Sequence, residues 1–425
     1  MHLRIIIQTL MALVVFSSGN GLAAPHEITI QEALTRAAQV SPEVAGSRMK
    51  DVAAQDRIEV ARAGYFPKVD LEALDSTGFP GSTGHLGVAG MVSSPYRSGA
   101  AAGIVTTVPI WDFGRTSNAV TAAEHSALSQ KEDTNYLRYR VYQTTLQIYY
   151  QCSLYRNLRE SWTQLAEGAR LVKNMVDGFV KTGQRSIVER YLVESQMEHA
   201  LTQVSIFEEK AKQQIKEIAL ITGLDSEDLT CPGIPSEENA IAIFHGTPEG
   251  NPIVSRAREA VVAARSKVDE AKADYLPRVV GVADAAVMQN TRFVDKNYYA
   301  LGVAVIFPLF EGFITTNKVK EASALATGAE RELEARKLEM AQLNIQYDKI
   351  IQSSKVALTH LKDESQLAQQ GFEMAKKRFF SLEGSVVDVR DAFTNLSRTQ
   401  TDLITTQTSY FEAMGAKAIL NGTPF

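Results

Sequence analysis

Residues 41–69 read SPEVAGSRMKDVAAQDRIEVARAGYFPKV, and residues 251–279 read NPIVSRAREAVVAARSKVDEAKADYLPRV. The two stretches share a proline near the start, a run of small and apolar residues at helical spacing, and a tyrosine–x–proline end. Tyr65 aligns with Tyr275, at an offset of 210 residues. An internal duplication on this scale predicts two copies of one structural unit rather than independent domains.

A second pair of stretches repeats later in each half. Residues 108–114 read VPIWDFG, and residues 306–312 read IFPLFEG, with Pro109 aligned to Pro308. Between the two proline breaks of each half, apolar and polar residues alternate with the period of a β-strand. After the second break, a long stretch without proline has the apolar spacing of a helix. Each half therefore predicts a helix, two strands and a very long helix.

The predicted fold class is an α+β membrane protein with long antiparallel coiled-coil helices and four β-strands per chain. In the predicted order, a signal peptide (1–23) is followed by a first repeat (24–223) and, after a linker (224–250), by a second repeat (251–425). The first repeat contains a helix, strands 68–75 and 100–110, long helix 112–178 and return helix 186–222. The second contains a helix, strands 278–287 and 299–309, long helix 313–380 and return helix 386–420. At about 1.5 Å per residue, each long helix would reach roughly 100 Å.

The first two dozen residues have the composition of a secretory signal. Arg4 precedes an apolar core, a tail of small residues follows it, and cleavage is predicted after Ala23. A membrane anchor is the alternative interpretation, but the apolar run is short for a bilayer crossing. The rest of the chain has no apolar run of transmembrane length. The net charge of −5 comes without basic clusters, so nucleic acid is not an expected partner.

Heptad spacing predicts the faces along which the long helices pack. The predicted seams are Leu137, Val141, Thr144, Ile148, Gln151, Tyr155, Leu158, Trp162, Leu165, Ala169, Val172 and Val176 in the first half, and Met340, Leu343, Tyr347, Ile350, Ser354, Ala357 and Leu361 in the second. Steps of three and four over several heptads are typical of coiled-coil packing.

The four predicted strands have about the length that a β-strand needs to cross a bilayer. Aromatic residues bracket them as in the girdles of outer-membrane barrels, at Tyr65, Phe66, Trp111, Phe113, Tyr275, Tyr298, Tyr299 and Phe310. Four strands leave open edges, and three chains would close a barrel of twelve strands. The alternative interpretation is a soluble helical bundle with a small sheet, in which these aromatic residues belong to its core.

Motifs of catalysis and of metal or nucleotide binding are missing. The seven histidines form no HExxH or related spacing, and no GxGxxG, GxxxxGK[ST] or GxSxG stretch occurs. We therefore expect no enzyme activity, no cofactor and no metal. Cys152 falls in the middle of a predicted helix and Cys231 in the predicted linker. We expect them to be unpaired thiols, with one disulfide as the alternative.

The two helix-to-YxP blocks, the two proline blocks and the heptad helices together resemble the outer-membrane efflux protein family, the TolC-like channel-tunnels. The resemblance covers nearly all of the chain after the signal peptide. It implies a homotrimer with a twelve-stranded barrel in the outer-membrane lipid and a helical tube across the periplasm. It also implies a periplasmic adaptor and an inner-membrane pump of the RND or ABC type as partners. A periplasmic scaffold or adaptor without a pore is the alternative function.

The resemblance extends to an acidic pair in the turn before the last helix. Residues 387–392 read VDVRDA, so Asp388 and Asp391 lie three residues apart on one helix face. In a trimer, the family pattern would place six carboxylates around one axis, where they attract cations. On the residues alone, a solvated helix face balanced by Arg390 explains the same pattern.

The same resemblance implies a gate contact in the first half. Glu189 takes the place of an acid that helps to hold the family's tube closed, but its family partners align here with Phe379 and Gly384, which cannot replace them. Arg185, Arg190 and Arg390 are the alternative ion-pair partners that we consider. By resemblance alone, the adaptor is expected to dock on the two turns, at Gly183, Gln184, Arg185, Ser186, Gly384 and Ser385.

Overall fold

The computed structural model describes residues 26–77, 85–86, 94–95, 98–235, 251–289 and 297–422. The predicted signal peptide and residues 236–250 of the predicted linker lie outside these ranges. The described helices are α1 Ile30–Val40, α2 Pro42–Arg62, α3 Arg115–Lys181, α4 Ile187–Thr222, α5 Pro252–Ala273, α6 Ile314–Phe380 and α7 Val386–Leu420. The described strands are β1 His26–Glu27, β2 Lys68–Thr77, β3 His85–Leu86, β4 Ser94–Pro95, β5 Ser98–Trp111, β6 Leu229–Thr230, β7 Arg278–Gln289 and β8 Asn297–Ile306.

The duplicated stretch that opens each half begins its helix in the same way. The side chains of Ser41 and Asn251 accept hydrogen bonds from the backbone N–H groups of Val44 and Ile253, and a proline follows each cap. Both helices end shortly before their tyrosine–x–proline sequence. The preceding helix α1, capped by Thr29, is an element that the sequence reasoning missed.

The four long strands form one antiparallel sheet in the order β2–β5–β7–β8. The two hairpins join through β5 and β7, whose pairing runs from Ala100↔Gln289 to Trp111↔Val279 with an irregularity near Pro109. The sheet of one chain therefore has β2 and β8 as its edges. β8 ends at Ile306, three residues before its predicted end, in front of Pro308, which has no N–H to donate to a ladder.

The two faces of this sheet differ in exposure. On β8, Tyr299, Leu301, Val303 and Val305 project from one face and are 77, 89, 67 and 66 % exposed. Leu71 of β2 and Ile104 of β5 share that face through the registers Leu71↔Ile104, Ile104↔Ala285 and Ala285↔Tyr299. An exposed apolar face on strands of this length is what contact with lipid requires.

Two consecutive residues with left-handed backbone precede each long helix. They are Phe113 (φ 54°) and Gly114 (φ 88°) before α3, and Gly312 (φ 61°) and Phe313 (φ 65°) before α6. Because a left-handed residue cannot continue a right-handed helix, α3 begins at Arg115, three residues later than the predicted start at 112. Both long helices contain 67 residues. The sharp turn between strand and helix is thus a feature of both repeats.

The predicted coiled-coil seam of α3 is correct only in its second part. Leu158, Trp162, Leu165, Ala169, Val172 and Val176 are all buried. They pack with α4, α6 and α7 residues that include Val193, Phe372 and Leu396. Before Leu158 the buried face shifts, since Thr144 is exposed while Thr145, Leu146, Tyr149 and Cys152 are buried. There α1, β6 and the residues after β6 pack on a second side of the helix, which a single seam does not anticipate.

The expectation of unpaired thiols is wrong, because Cys152 and Cys231 form a disulfide. Their Cα atoms are 5.2 Å apart, and the two residues are 0 and 4 % exposed. The pairing is possible because β6 pairs with β1 next to the middle of α3, and this brings the residues after β6 onto the helix. The sequence did not predict this pairing, because 79 residues separate the two cysteines along the chain.

Polar contacts reinforce the same junction. One turn after Cys152, the guanidinium of Arg156 donates hydrogen bonds to the carbonyl of Cys231 (2.5 Å) and to Glu27 Oε1 (3.1 Å). Glu27 Oε1 also accepts from the N–H of Gly233 (2.8 Å). Strand β1, the segment after β6 and the centre of α3 are therefore connected by a disulfide and by a charged network.

Candidate functional site

The turns between α3 and α4 and between α6 and α7 lie side by side at one end of the helical hairpins. Phe179 and Phe379, at the ends of α3 and α6, make an edge-to-face contact with ring centroids 6.1 Å apart. Phe379 is completely buried. The predicted gate and docking residues are all on these turns or on the first helical turns after them.

The first turn combines a glycine with a helix cap. Gly183 has φ 68°, a backbone that L-residues with a Cβ adopt at a cost. The following N–H of Gln184 donates to the Phe179 carbonyl at 2.9 Å. Ser186 then caps α4, and its own N–H donates to Glu189 Oε2 at 3.0 Å. Glu189 is thereby fixed as part of a capping box.

The second turn has the same backbone with different residues. Leu382 (φ 63°) takes the left-handed position that Gly183 has in the first turn. Ser385 caps α7, and its N–H donates to Asp388 Oδ2 at 3.1 Å. A Cβ on Gly384 would lie 3.1 Å from the backbone nitrogen of Phe379, which is a tight contact with the end of α6. Leu382 thus adopts, without being glycine, the backbone that Gly183 has in the first turn, and Gly384 packs closely against the end of α6.

Arg185 connects the two turns. Its Nη2 donates to the Gly384 carbonyl at 2.7 Å, and its Nη1 donates to Glu189 Oε1 at 3.3 Å. The guanidinium carbon lies 4.8 Å from the ring centroid of Phe379, within cation–π range. The side chains of Arg185 and Glu189 are only 17 and 19 % exposed. A partly buried arginine with three different partners holds the ends of both hairpins in one geometry.

The other two candidate arginines pair within their own hairpins. Arg190 forms an ion pair with Asp177 at 3.0 Å, and Arg390 pairs with the adjacent Asp391 at 2.9 Å. The pKa of Asp177 lies below its usual value, first because Lys173 donates a hydrogen bond to it and further because Lys173 and Arg190 are positively charged. Gln196 of α4 donates to the Arg390 carbonyl at 3.3 Å, which adds a contact between α4 and α7.

The structure thus brings Arg185, Glu189 and Gly384 together but pairs Asp388 and Asp391 with neither Arg185 nor Arg190. Sequence reasoning missed Asp177, although its i,i+4 spacing to Lys173 is typical of a helical ion pair. It also missed the Gly384 carbonyl as an acceptor, since a backbone group leaves no trace in a residue pattern.

The described residues contain neither a metal-binding cluster nor a membrane-spanning helix. Within the ranges that the structure covers, no group of three or more histidine, cysteine, aspartate or glutamate side chains could hold a metal ion. Over the same residues, no helix has both the length and the hydropathy that a membrane crossing requires.

The first turn gives a direct test of its backbone. We expect Gly183→Ala to destabilise the protein by about 1 kcal/mol, because the added Cβ meets open space and only the left-handed φ opposes it. Gly178→Ala, five residues earlier inside α3 and also facing open space, should instead stabilise by about 0.5–1 kcal/mol. Heat-unfolding midpoints of the two variants should therefore move in opposite directions. Equal shifts would mean that the turn does not adopt this backbone.

Solved structures of outer-membrane channels share the fold of this chain. The outer membrane protein VceC from Vibrio cholerae aligns with a TM-score of 0.79 and 16 % identity over 93 % of this chain and 96 % of its own. The CmeC outer membrane channel of Campylobacter jejuni aligns with a TM-score of 0.73 and 14 % identity over 93 and 86 %. The open state of the Neisseria gonorrhoeae MtrE channel aligns with a TM-score of 0.70 and 12 % identity over 92 and 89 %. At these identities the similarity shows the fold, and the predicted fold class is confirmed.

No curated protein matches the sequence significantly. The family model described as outer membrane efflux protein matches residues 33–224 and 247–416, which cover most of both repeats. The resemblance drawn from the repeated blocks is therefore confirmed: the chain belongs to the outer membrane efflux protein family.

Proposed function

We propose that three copies of this chain form a channel-tunnel that carries solutes across the periplasm and the outer membrane of a Gram-negative bacterium. The observation that carries the proposal is the four-stranded sheet. Its edge strands β2 and β8 have backbone groups that no other strand of the described chain pairs. Three such sheets, joined edge to edge, would satisfy these groups in a closed barrel of twelve strands.

The dimensions of the strands support insertion into a membrane. The four strands contain 10 to 14 residues, close to the 9–11 residues that a tilted strand needs to cross a bilayer. Aromatic side chains at their ends, such as Phe66, Trp111 and Phe310, are 66, 59 and 78 % exposed. Exposed aromatic residues at the borders of an apolar band are typical of the two interfaces of a membrane.

The long helices support a tube built from several chains. Each would extend about 100 Å from the barrel. Large apolar side chains are exposed at intervals along α6 in the single chain, at Leu325, Leu338, Ile345, Leu367 and Met374. Neighbouring protomers would cover such a row, since a soluble surface rarely exposes apolar residues along its whole length.

The gate and the docking surface are part of the proposal. Asp388 and Asp391 would form a ring of six carboxylates at the periplasmic end, and Arg185 with Glu189 would hold each protomer's turns in the resting position. The two turns, which contain Gly183–Ser186 and Gly384–Ser385, would receive a periplasmic adaptor that connects the tube to an inner-membrane pump. The cargo would be small molecules of the drug type or proteins secreted by a type I system, and the pump would accordingly be of the RND or the ABC type.

Membrane fractionation followed by bilayer recording tests the channel directly. We expect the protein in the outer-membrane fraction, as a trimer that dissociates on heating, with stepwise conductance after reconstitution. Recovery from the soluble periplasm without conductance would instead support a scaffold or adaptor without a pore. The adaptor partner can be tested by cross-linking from a cysteine placed at Gln184, which lies in an exposed turn.

The proposed acidic ring makes a separate prediction about ions. In Asp388→Asn/Asp391→Asn channels we expect the permeability ratio of K⁺ to Cl⁻ to fall by at least about twofold, because rings of carboxylates favour cations. Asparagine keeps a side-chain oxygen that can accept from the Ser385 N–H, so the cap of α7 should survive. Reversal potentials in a KCl gradient measure the ratio. An unchanged ratio would place both carboxylates on an ordinary solvated surface.

A further inference from the structure

Asp284 is a buried carboxylate in the middle of strand β7. It is the seventh residue of the strand Arg278–Gln289. The residue is 5 % exposed even in the isolated chain, and its Oδ1 atom has no hydrogen-bond partner among the described residues. An ionisable side chain at membrane depth without a partner is costly, and in membrane proteins such groups usually serve solute or ion pathways.

The register of the sheet places Asp284 on the face opposite the exposed apolar residues. Asp284 is paired with Val105 on one side and with Ala300 on the other, and Val105 is paired with Asp70. Val105 is buried, whereas Ile104 and Tyr299, on the adjacent row, are exposed. Asp70 and Asp284 therefore share a row on the face opposite the exposed apolar residues. In a closed barrel whose apolar face contacts lipid, this face lines the lumen.

The two carboxylates of this row, Asp70 and Asp284, differ in their ion-pair partners. Lys68 Nζ lies 3.1 Å from Asp70 Oδ2, so Asp70 has a cationic partner on its own strand. No ion pair of the described residues includes Asp284. Glu72, one row further along β2, is half-buried on the same face. Asp70 is thus neutralised on its own strand, whereas Asp284 is a buried carboxylate without a cationic partner among the described residues.

We infer that the three copies of Asp284 form a second cation-binding ring inside the barrel, separate from the carboxylates at the helical turns. The inference rests on the proposed trimeric channel. The ring binds metal ions or the ammonium groups of organic cations, because a ring of carboxylates that lines a pore attracts positive charge. It raises the concentration of cationic solutes at the level of the membrane, after they have left the helical tube.

Bilayer recordings of three variants test the ring. We expect Asp284→Asn to lower the K⁺ to Cl⁻ permeability ratio by at least about twofold, and Asp284→Glu to retain it, because only the second keeps the carboxylate. Ala300→Ser, in the same row on β8, is the matched control and should leave the ratio unchanged. Conducting Asp284→Asn channels with the wild-type ratio would overturn the inference. Wild-type protein that does not conduct would instead overturn the channel function itself.

A second measurement covers the case in which Asp284→Asn does not assemble. Hexaamminecobalt(III), added to the extracellular side of the bilayer, should block the wild-type channel, and the block should persist in the Asp388→Asn/Asp391→Asn channel. Those two residues lie at the far end of the helices, so a block that survives their replacement comes from another site. A block that also survives Glu72→Gln comes from the row of Asp284 rather than from Glu72. Loss of the block in that double variant, or no block of the wild type, would overturn the inference.

Discussion

Channels with Arg185→Ala are expected to open far more often at rest than wild-type channels. The change removes a charged hydrogen bond to the Gly384 carbonyl, the pair with Glu189 and the contact with the Phe379 ring. A hydrogen bond from a charged donor contributes about 1.5–3 kcal/mol. If the two hairpins of a protomer separate on opening, this loss shifts the equilibrium toward the open state by about tenfold or more. Open probability in single-channel recordings measures the shift.

Two variants control for the loss of a positive charge. Arg185→Lys keeps the positive charge, but an ammonium group lacks the planar guanidinium that donates to the carbonyl and to the carboxylate at once. We therefore expect its open probability to lie between those of wild type and Arg185→Ala. Arg170→Ala removes an arginine of α3 whose pair with Glu167 is exposed, and exposed pairs contribute little, so its channels should behave as wild type. If Arg185→Ala and Arg170→Ala give the same open probability, Arg185 is not part of a gate.

A double variant separates the two partners of Arg185. Glu189→Gln removes the charge but keeps an oxygen for the Ser186 N–H, so the helix cap is retained. If the arginine acts mainly through Glu189, combining the two changes should add little to Arg185→Ala alone. If the effects add fully, the contact that matters is the one between Arg185 and the Gly384 carbonyl, which joins the two hairpins.

The repeated blocks were sufficient to predict the order of the long elements. Their prolines and helix caps act locally, so Pro42 and Pro252 mark the same helix start in both halves. The predictions failed where distant segments meet. The shift of the α3 seam before Leu158 and the Cys152–Cys231 bond both arise where α1 and the residues after β6 pack on the middle of α3. No period within α3 contains that information.

The turns show the same limit at the scale of single residues. Glu189 could be chosen from sequence through the family resemblance, and Arg185 as one of three alternative arginine partners; the structure shows that these two pair. The Gly384 carbonyl and the face of Phe379 could not, since they depend on two turns, about 200 residues apart in sequence, meeting at one end of the bundle. Asp284 belongs to the same class, because its face on the sheet follows from the registers with Val105 and Ala300.

The disulfide is expected to contribute more to stability than any single contact of the turns. Cys152 and Cys231 are separated by 79 residues. In the chain-entropy model, closing a loop of this length in the unfolded chain stabilises the folded state by about 4.5 kcal/mol. We therefore expect the Cys152→Ala/Cys231→Ala variant to dissociate and unfold at a markedly lower temperature. Wild-type protein unfolded in reductant should refold to the same low-stability form, and heat-dependent gel mobility of the trimer measures both.

The neighbour of Cys152 offers a matched control for this prediction. Ser153 is as deeply buried, and its hydroxyl has no partner among the described residues, so Ser153→Ala should be neutral or slightly stabilising. The Arg156 contacts to Glu27 and to the carbonyl of residue 231 remain in the cysteine-free variant and should hold the segment after β6 near α3. We therefore expect the variant to lose thermal stability but to keep the wild-type conductance. A cysteine-free trimer as heat-resistant as Ser153→Ala would contradict the prediction. It would mean that this charged network, and not the covalent bond, fastens the segment to the helix.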